Sequence, residues 1–406
     1  MNQLAEAQLV QKIKRKISSH TLKSIVVSSA HGIHDMYSSF SSPLLPFLID
    51  RLGLLKAEAG VFILIYQGAS ILQPIIGHIG DRTNLRKYAL LAPAITGIFM
   101  SLIGIAPTYW MAMLFFLIAG VSSATLHATL PALVSSFSLK NVGKGMSIWM
   151  IGGELGVMAG PLVVTTTITQ FSIQSTPWLM VIGILYSIVL SFLLKGLPYH
   201  NAQMKVQNRI PFNKLAAILL PIALITILRS PVRTASLLYL PVFLQENGAS
   251  VWFSGIALSI MQGVGLIGTV SGGILSDRIG HRSAMVISII TSSVAMVAAS
   301  LTTGLLQVVF FCILNIAILL ILPVGLALIQ KSFPENRSLA NGLYLATIFG
   351  INALSGVLTG FMYDRIGGQP TFFWSGVITF FAIPFVFLLP KTIDHSPIRK
   401  QGEIND

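Results

Sequence analysis

Three ionisable side chains lie close together in an apolar stretch near the start of the chain. His31 and Asp35 are four residues apart, and His34 lies three residues after His31, so a helix would bring His31 and both others to one face. Burial favours the protonated form of a carboxyl group, and a neighbouring cation favours the ionised form. The pattern therefore predicts a proton-coupling site, with Asp35 as carrier and His31 or His34 as relay. An alternative is a hydrogen-bonded polar cluster that only packs helices.

Two arginines form a second polar group in another apolar stretch. Arg229 and Arg233 are also four residues apart, and Pro231 between them predicts an interruption of the helix. Planar guanidinium groups suit phosphate, phosphonate or carboxylate groups. We therefore predict that both arginines bind an anionic substrate. An alternative is that one of them neutralises Asp35 or Glu154 in an internal salt bridge.

Further polar residues interrupt the remaining apolar stretches. Glu154 is a second candidate for proton coupling, and His127 lies near the middle of a stretch that should line the same cavity. We predict that His127 contacts substrate, although packing against a neighbouring helix is the alternative. Histidine and carboxylate groups can also bind a metal ion. From two histidines and one acid at this spacing, however, we predict no metal site, and no cofactor.

The composition requires a membrane setting for these residues. Hydrophobic residues make up 54% of the chain and charged residues 10%, with a mean hydropathy of +0.80, whereas a soluble domain carries roughly 25% charged residues. Apolar stretches recur with a length of about 20 residues, which matches the hydrocarbon core of a bilayer. We predict an all-α polytopic membrane protein with twelve transmembrane helices at 23–48, 58–80, 88–106, 109–136, 145–169, 177–195, 214–240, 252–276, 284–303, 306–330, 338–363 and 371–390.

The charge distribution sets the orientation of the chain. The formal net charge is +13, and most Lys and Arg residues fall in segments that share one side of the twelve-span arrangement, which is the cytoplasmic side by the positive-inside rule. Both termini are thus predicted to be cytoplasmic. The predicted partner of the protein is the lipid bilayer, whose anionic headgroups suit the basic N-terminal stretch, and not nucleic acid. The predicted organisation is an N-terminal segment, a six-helix bundle, a linker, a second bundle and a tail, at 1–22, 23–195, 196–213, 214–390 and 391–406.

A short charged motif repeats at about half the chain length. Asp277 follows Asp81 by 196 residues (277 − 81), and each is followed by arginine. The repeat predicts two pseudo-symmetric six-helix bundles. A carboxylate at such a helix end can accept hydrogen bonds from the N-terminus of a neighbouring helix, so the motif is a candidate conformational hinge, although a solvated turn is the alternative. The candidate hinge residues are Gly77, Asp81, Arg82, Gly273, Asp277 and Arg278, with a third copy at Asp364 and Arg365.

Small residues recur at every fourth position in the fifth predicted span. Gly152, Gly156 and Gly160 form a stripe that ends at Pro161, and such a stripe lets two helices approach closely. Together with the hinge, this stripe resembles sequences of the major facilitator superfamily, in which a glycine–proline motif of the fifth span marks antiporters. The superfamily fold consists of two six-helix halves built from repeated units.

The first half of the chain further resembles the fosmidomycin-resistance branch of that superfamily. The residues that carry this resemblance are His31, Asp35, Met36, Gln67, Gly68, Ala69, Ser70, Leu72, Gln73, Pro74, Ser122, Ser123, His127 and those from Gly152 to Pro161. The resemblance implies proton-driven export of an anionic drug such as a phosphonate, with Gln67 and Arg229 at the substrate.

We therefore expect a proton-coupled antiporter that exports a small organic anion or drug by alternating access. It would be a monomer of a bacterial inner membrane and not an enzyme. The alternative is a proton symporter that takes up a carboxylate or a siderophore-like metabolite, which the two arginines fit equally well.

Overall fold

The computed structural model describes residues 20–82, 86–137, 142–194, 212–333 and 337–390, and the elements in these ranges are helices. The first bundle contains α1 (His20–Ser38), α2 (Ser41–Leu52), α3 (Lys56–Gly68), α4 (Gln73–Arg82), α5 (Arg86–Leu102), α6 (Tyr109–Phe137), α7 (Val142–Gln170) and α8 (Met180–Leu193). The second contains α9 (Phe212–Leu237), α10 (Leu240–Glu246), α11 (Val251–Ile279), α12 (His281–Leu301), α13 (Gly304–Ser332), α14 (Arg337–Ile366), α15 (Gly368–Phe380) and α16 (Ile383–Val386). Three-residue-per-turn helices cover Ala69–Leu72, Ile103–Ile105 and Ile173–Leu179.

The helix lengths confirm a polytopic membrane protein. Within the described residues, ten helical stretches are long and apolar enough to cross a membrane. The third predicted span corresponds to a shorter apolar helix, Leu90–Ile105. The first predicted span is divided into α1 and α2. Helices therefore lie at every predicted span, but the first and third predicted spans are not among the ten described stretches that are both long and apolar enough.

The predicted interruption of the second bundle's first span lies at a different residue. The sequence places it at Pro231, but α9 continues past this proline to Leu237. The helix ends there because the amides of Leu238 and Tyr239 both donate to the carbonyl of Thr234, at 2.9 and 3.3 Å. One missing amide at Pro231 removes only a single ladder bond, and the helix tolerates that loss.

The two interruptions are related by the internal repeat. α1 ends at Ser38 and α2 begins at Ser41, while α9 ends at Leu237 and α10 begins at Leu240. The first span of each bundle is thus a long helix followed by a short one. This correspondence supports the pseudo-symmetry that the repeated charged motif predicts.

Glycines determine how closely α1 and α7 pack. A Cβ at Gly152 would collide with the backbone of Ser28, one at Gly156 with Gly32, and one at Gly160 with Met36. The stripe therefore packs against α1 within the first bundle. Because α1 carries the predicted proton-coupling residues, these glycines fix the position of that helix.

Among the described residues, two helix pairs make the largest contacts between the bundles, and α2 and α10 add a smaller one. α3 packs against α14, and α7 packs against α11. Gly60 and Gly356 lie backbone to backbone at the first of these contacts, and Gly255 lies against the side chain of Thr165 at the second.

Candidate functional site

His31, His34, Asp35 and His127 form one side-chain cluster inside the first bundle. His31 Nε2 lies 3.0 Å from Asp35 Oδ2, and His34 Nδ1 lies 2.7 Å from Asp35 Oδ1. His127 of α6 approaches the same carboxylate at 3.9 Å. Its Nε2 also lies 3.2 Å from Nε2 of His31. The sequence spacing anticipated the α1 residues of this cluster, but it assigned His127 to substrate binding.

The hydrogen bonds on the far side of two imidazoles determine where their protons are. His31 Nδ1 lies 2.9 Å from the carbonyl oxygen of Trp149, and His127 Nδ1 lies 2.9 Å from that of Ser123. A carbonyl oxygen only accepts, so both Nδ1 atoms must carry hydrogen. In two neutral rings, both Nε2 atoms would then present lone pairs to each other and to Asp35.

One additional proton resolves this arrangement of acceptors. Placed on His31 Nε2, it can be shared with Asp35 Oδ2 at 3.0 Å or with His127 Nε2 at 3.2 Å. Buried polar atoms require such partners. The His34 ring is fully buried, and its Nε2 has no hydrogen-bond partner. The cluster thus has the geometry of a site that binds an exchangeable proton.

The same side chains could in principle hold a metal ion. One ligand atom from each of His31, Asp35 and His127 lies within 4.8 Å of the others. Imidazole and carboxylate groups are ligands for several divalent metals. The sequence predicts no metal here, and that remains a prediction.

The two arginines of α9 have different electrostatic surroundings. Arg233 interacts with Glu154 of the first bundle, and Glu154 also lies within electrostatic range of Asp35 and His31. Arg229 lies within electrostatic range of Arg233 and of Tyr344, and no described carboxylate lies within that range. Among the described residues neither arginine forms a salt bridge, so the predicted internal salt bridge is not seen as a direct contact. Arg233 is the arginine within electrostatic range of Glu154, and Arg229 has no described carboxylate in range.

A cavity in the second bundle surrounds Arg229. Its lining residues are Ile222, Ile225, Thr226, Arg229, Met285, Ile321, Gly325, Tyr344 and Ile348. One guanidinium nitrogen lies 3.4 Å from Ser288 Oγ, and Nε is buried without a hydrogen-bond partner. The cavity therefore presents a partly buried cation, with its Nε atom fully buried, surrounded mainly by hydrocarbon.

Sequence reasoning overlooked several residues near these sites. Trp149 stacks on the His31 ring with centroids 3.9 Å apart, and Tyr66 donates to Ser38 Oγ at 2.5 Å. Tyr344 lines the Arg229 cavity. Aromatic residues occur in most of the predicted spans, so nothing in the sequence distinguishes these three. Gln67, which was predicted, has a buried amide oxygen without a partner.

The copies of the hinge motif differ in their contacts. Gly77, Asp81 and Arg82 lie in α4, but their side chains are outside the described part of the structure. Asp277 forms an ion pair with Lys331 of its own bundle at 2.9 Å. Gly273 has open space beside it, and Arg278 is exposed.

The third copy connects the bundles. Asp364, at the end of α14, accepts hydrogen bonds from the amides of Lys56 and Ala57, both at 2.9 Å. These are the first amides of α3, where the helix dipole favours an anion. The arrangement is the carboxylate–helix contact expected for the motif. The neighbouring Arg365 instead lies over the ring of Phe361 at 5.1 Å.

Other contacts between the bundles lie beside Asp364, at what we call the closed end (Ser42, Lys56, Tyr239, Glu246 and Asp364). Lys56 Nζ pairs with Glu246 at 3.0 Å, and Tyr239 donates to the carbonyl of Lys56 at 2.8 Å. Ser42 Oγ donates to the carbonyl of Leu237 at 2.6 Å. At the opposite end, α4 packs on α6 of its own bundle. The described polar contacts between bundles thus concentrate at the closed end.

Comparison with known proteins identifies the family. The model of the Major Facilitator Superfamily matches residues 27–271 and 222–405. The fosmidomycin resistance protein of Escherichia coli (strain K12) is 24% identical over 355 residues, which cover 84% of this chain and 86% of the relative.

Solved structures show the same fold. A bacterial homologue of the human lysosomal transporter Spinster, in an inward-facing and unoccupied conformation, has a TM-score of 0.76 at 14% identity and covers 91% of this chain and 97% of its own. A D-xylose-proton symporter has a TM-score of 0.72 at 16% identity over 91% of this chain and 98% of its own. The chain therefore belongs to the Major Facilitator Superfamily and is a membrane transporter, not an enzyme.

Proposed function

We propose that this transporter exchanges protons for a small organic anion and works as an exporter. The observation that carries the proton coupling is the convergence of three acceptors on one position. With Nδ1 of His31 and His127 committed to carbonyl groups, only an added proton relieves the contact between their Nε2 atoms and Asp35. Asp35 and His31 are the proposed proton carriers. His34 and His127, which lie beside Asp35, are the proposed relay residues. Glu154 is a second candidate for proton coupling.

The anion site is proposed at α9, in the second bundle. Arg229 lines a cavity and has no carboxylate partner among the described groups that act on it. Arg233 and Glu154 link this arginine electrostatically to Asp35. A charge change in one bundle can therefore affect the free energy of anion binding in the other.

Alternating access is proposed to use the contacts at the closed end. With both termini cytoplasmic, as the charge distribution predicts, the closed end faces away from the cytoplasm. In that orientation the contacts of Asp364 and Lys56 that join the bundles close the outer side of the transporter. Transport to the other side requires these contacts to break.

The direction of export is supported by the relative named for fosmidomycin resistance, because a transporter that carries a drug out of the cell would give resistance to it. A charge count supports proton symport as a second candidate. Asp35 and Glu154 balance Arg229 and Arg233, so one extra proton gives the interior a single positive charge. An incoming anion would restore neutrality, which favours binding of proton and anion together.

Proton exchange on ligand binding separates these two functions. Phosphonates and monocarboxylates would be added to purified protein in weakly buffered detergent while the pH is recorded. Proton release supports antiport, and proton uptake supports symport. Asp35→Asn should abolish either signal, whereas Asp50→Asn, which changes an exposed carboxylate, should retain it. Binding without proton exchange in the unmodified protein would refute proton coupling.

A further inference from the structure

The unpaired arginine of the second bundle restricts the charge of the substrate, because it needs an anionic partner. Arg229 Nε is buried without a partner, and the one hydrogen bond from its guanidinium group, to Ser288, is long at 3.4 Å. Ser288 itself donates to the carbonyl of Ala317. An isolated cation in such surroundings is costly unless an anion joins it.

The hydrogen-bonding capacity around Arg229 is small. Thr226 lines the cavity, but its hydroxyl donates to the carbonyl of Ile222 at 2.7 Å. The Tyr344 hydroxyl donates only a long hydrogen bond, to the carbonyl of Leu322 at 3.4 Å. The free donors are therefore the guanidinium group and the Tyr344 hydroxyl. This set can reach the oxygens of a carboxylate or of a phosphonate, but the single unpaired guanidinium charge neutralises a carboxylate monoanion, whereas a phosphonate dianion would keep one uncompensated negative charge in the cavity.

The rest of the cavity wall is hydrocarbon. Five aliphatic side chains face the same space as the guanidinium group, and they are Ile222, Ile225, Met285, Ile321 and Ile348. Apolar walls gain free energy by covering apolar ligand surface, and a few polar groups then fix the orientation of the ligand.

We infer that the substrate is an apolar monocarboxylate, whose carboxylate pairs with Arg229 and whose aliphatic or aromatic body lies against the isoleucines of the cavity. This inference rests on the proposed function, because it assigns the substrate class of that transporter. It differs from the hydrophilic phosphonate that the similarity to the fosmidomycin resistance protein suggests.

Gly325 determines how much room this ligand has. A Cβ at Gly325 would collide with the hydroxyl of Tyr344, so the glycine allows Tyr344 to remain beside Arg229. Gly325→Ala must therefore displace the Tyr344 ring within the cavity. The structure assigns Gly325 and Tyr344 as determinants of ligand size, in addition to the arginine that determines charge.

Calorimetric binding of a homologous series tests the inference. Butyrate, hexanoate and octanoate would be compared with the phosphonates of equal chain length and with the corresponding alcohols. Affinity should increase by about four-fold for each methylene that becomes buried, and carboxylates should bind at least ten-fold more tightly than phosphonates or alcohols. Arg229→Gln should remove the preference for carboxylates over alcohols, and Gly325→Ala should weaken octanoate binding more than butyrate binding.

Two outcomes of the binding series would overturn the inference. One is an affinity that does not depend on chain length, and the other is tighter binding of phosphonates than of carboxylates. Loss of folding in a variant is detected by its thermal melting, and the chain-length series on the unmodified protein needs no variant. If proton-coupled transport of phosphonates is observed, the proposed function stands and this inference fails. If carboxylates bind without proton exchange, the inferred substrate class stands and the proposed proton coupling fails.

Discussion

Removing the carboxylate of Asp364 should shift the transporter away from the state seen here. This side chain accepts two hydrogen bonds from the first amides of α3, across the boundary between the bundles. Loss of a capping carboxylate at a helix N-terminus costs about 1–2 kcal/mol. Because these bonds form only while the closed end is closed, Asp364→Ala should change the conformational equilibrium by about five- to thirty-fold.

Distances between spin labels at Asp50 and Asn247 would measure this equilibrium, because the two exposed positions lie in different bundles beside the closed end. The labels require replacement of Cys312, the single cysteine of the chain. The matched control is Glu58→Ala. Glu58 also caps the start of α3, through the amide of Leu55 at 2.8 Å, but from within its own bundle.

Asp364→Ala should enlarge the population with a long separation, and Glu58→Ala should lower thermal stability without changing the two populations. Equal distance distributions for Asp364→Ala and the parent protein would refute the reasoning. They would mean that Lys56, Glu246 and Tyr239 hold the closed end without help from Asp364.

Two further predictions concern the interior of the protein. Gly156→Ala should lower the free energy of unfolding by about 1–3 kcal/mol, because its Cβ collides with the backbone of Gly32; thermal melting checks this against Gly273→Ala, where the space is open. Glu154→Arg and Arg233→Glu should each abolish transport by leaving like charges near one another, and the double exchange should recover part of it. If the double exchange in a flux assay is no better than either single change, Glu154 and Arg233 do not act as a pair.

Local spacing was sufficient to predict part of the candidate site. His31 and Asp35 are one helical turn apart, so their proximity follows from secondary structure alone. His127 lies on another helix, and only the packing of α6 against α1 brings its Nε2 to His31. The sequence suggested that His127 lines the cavity, but it could not show that the residue shares the carboxylate of Asp35.

The fold was predictable because hydropathy and repetition act over long stretches. Apolar segments of bilayer length and the repeated Asp81 and Asp277 motif indicated two related bundles. The interruption near Pro231 was misplaced because a proline removes one amide, whereas the helix actually ends where its carbonyls find other donors, including Ser42 of the opposite bundle. Such a donor depends on tertiary contacts that single-helix patterns do not contain.

The ring of Trp149 gives the protein an internal optical reporter. Of the five tryptophans, this one is 2% exposed, whereas Trp110, Trp178, Trp252 and Trp374 are between 47% and 76% exposed. Its indole lies parallel to the His31 imidazole at 3.9 Å, with an interplanar angle of 7°. A charge that appears on that imidazole acts directly on the indole π system. The emission of an unlabelled sample should therefore follow the occupancy of the cluster in real time during a transport cycle.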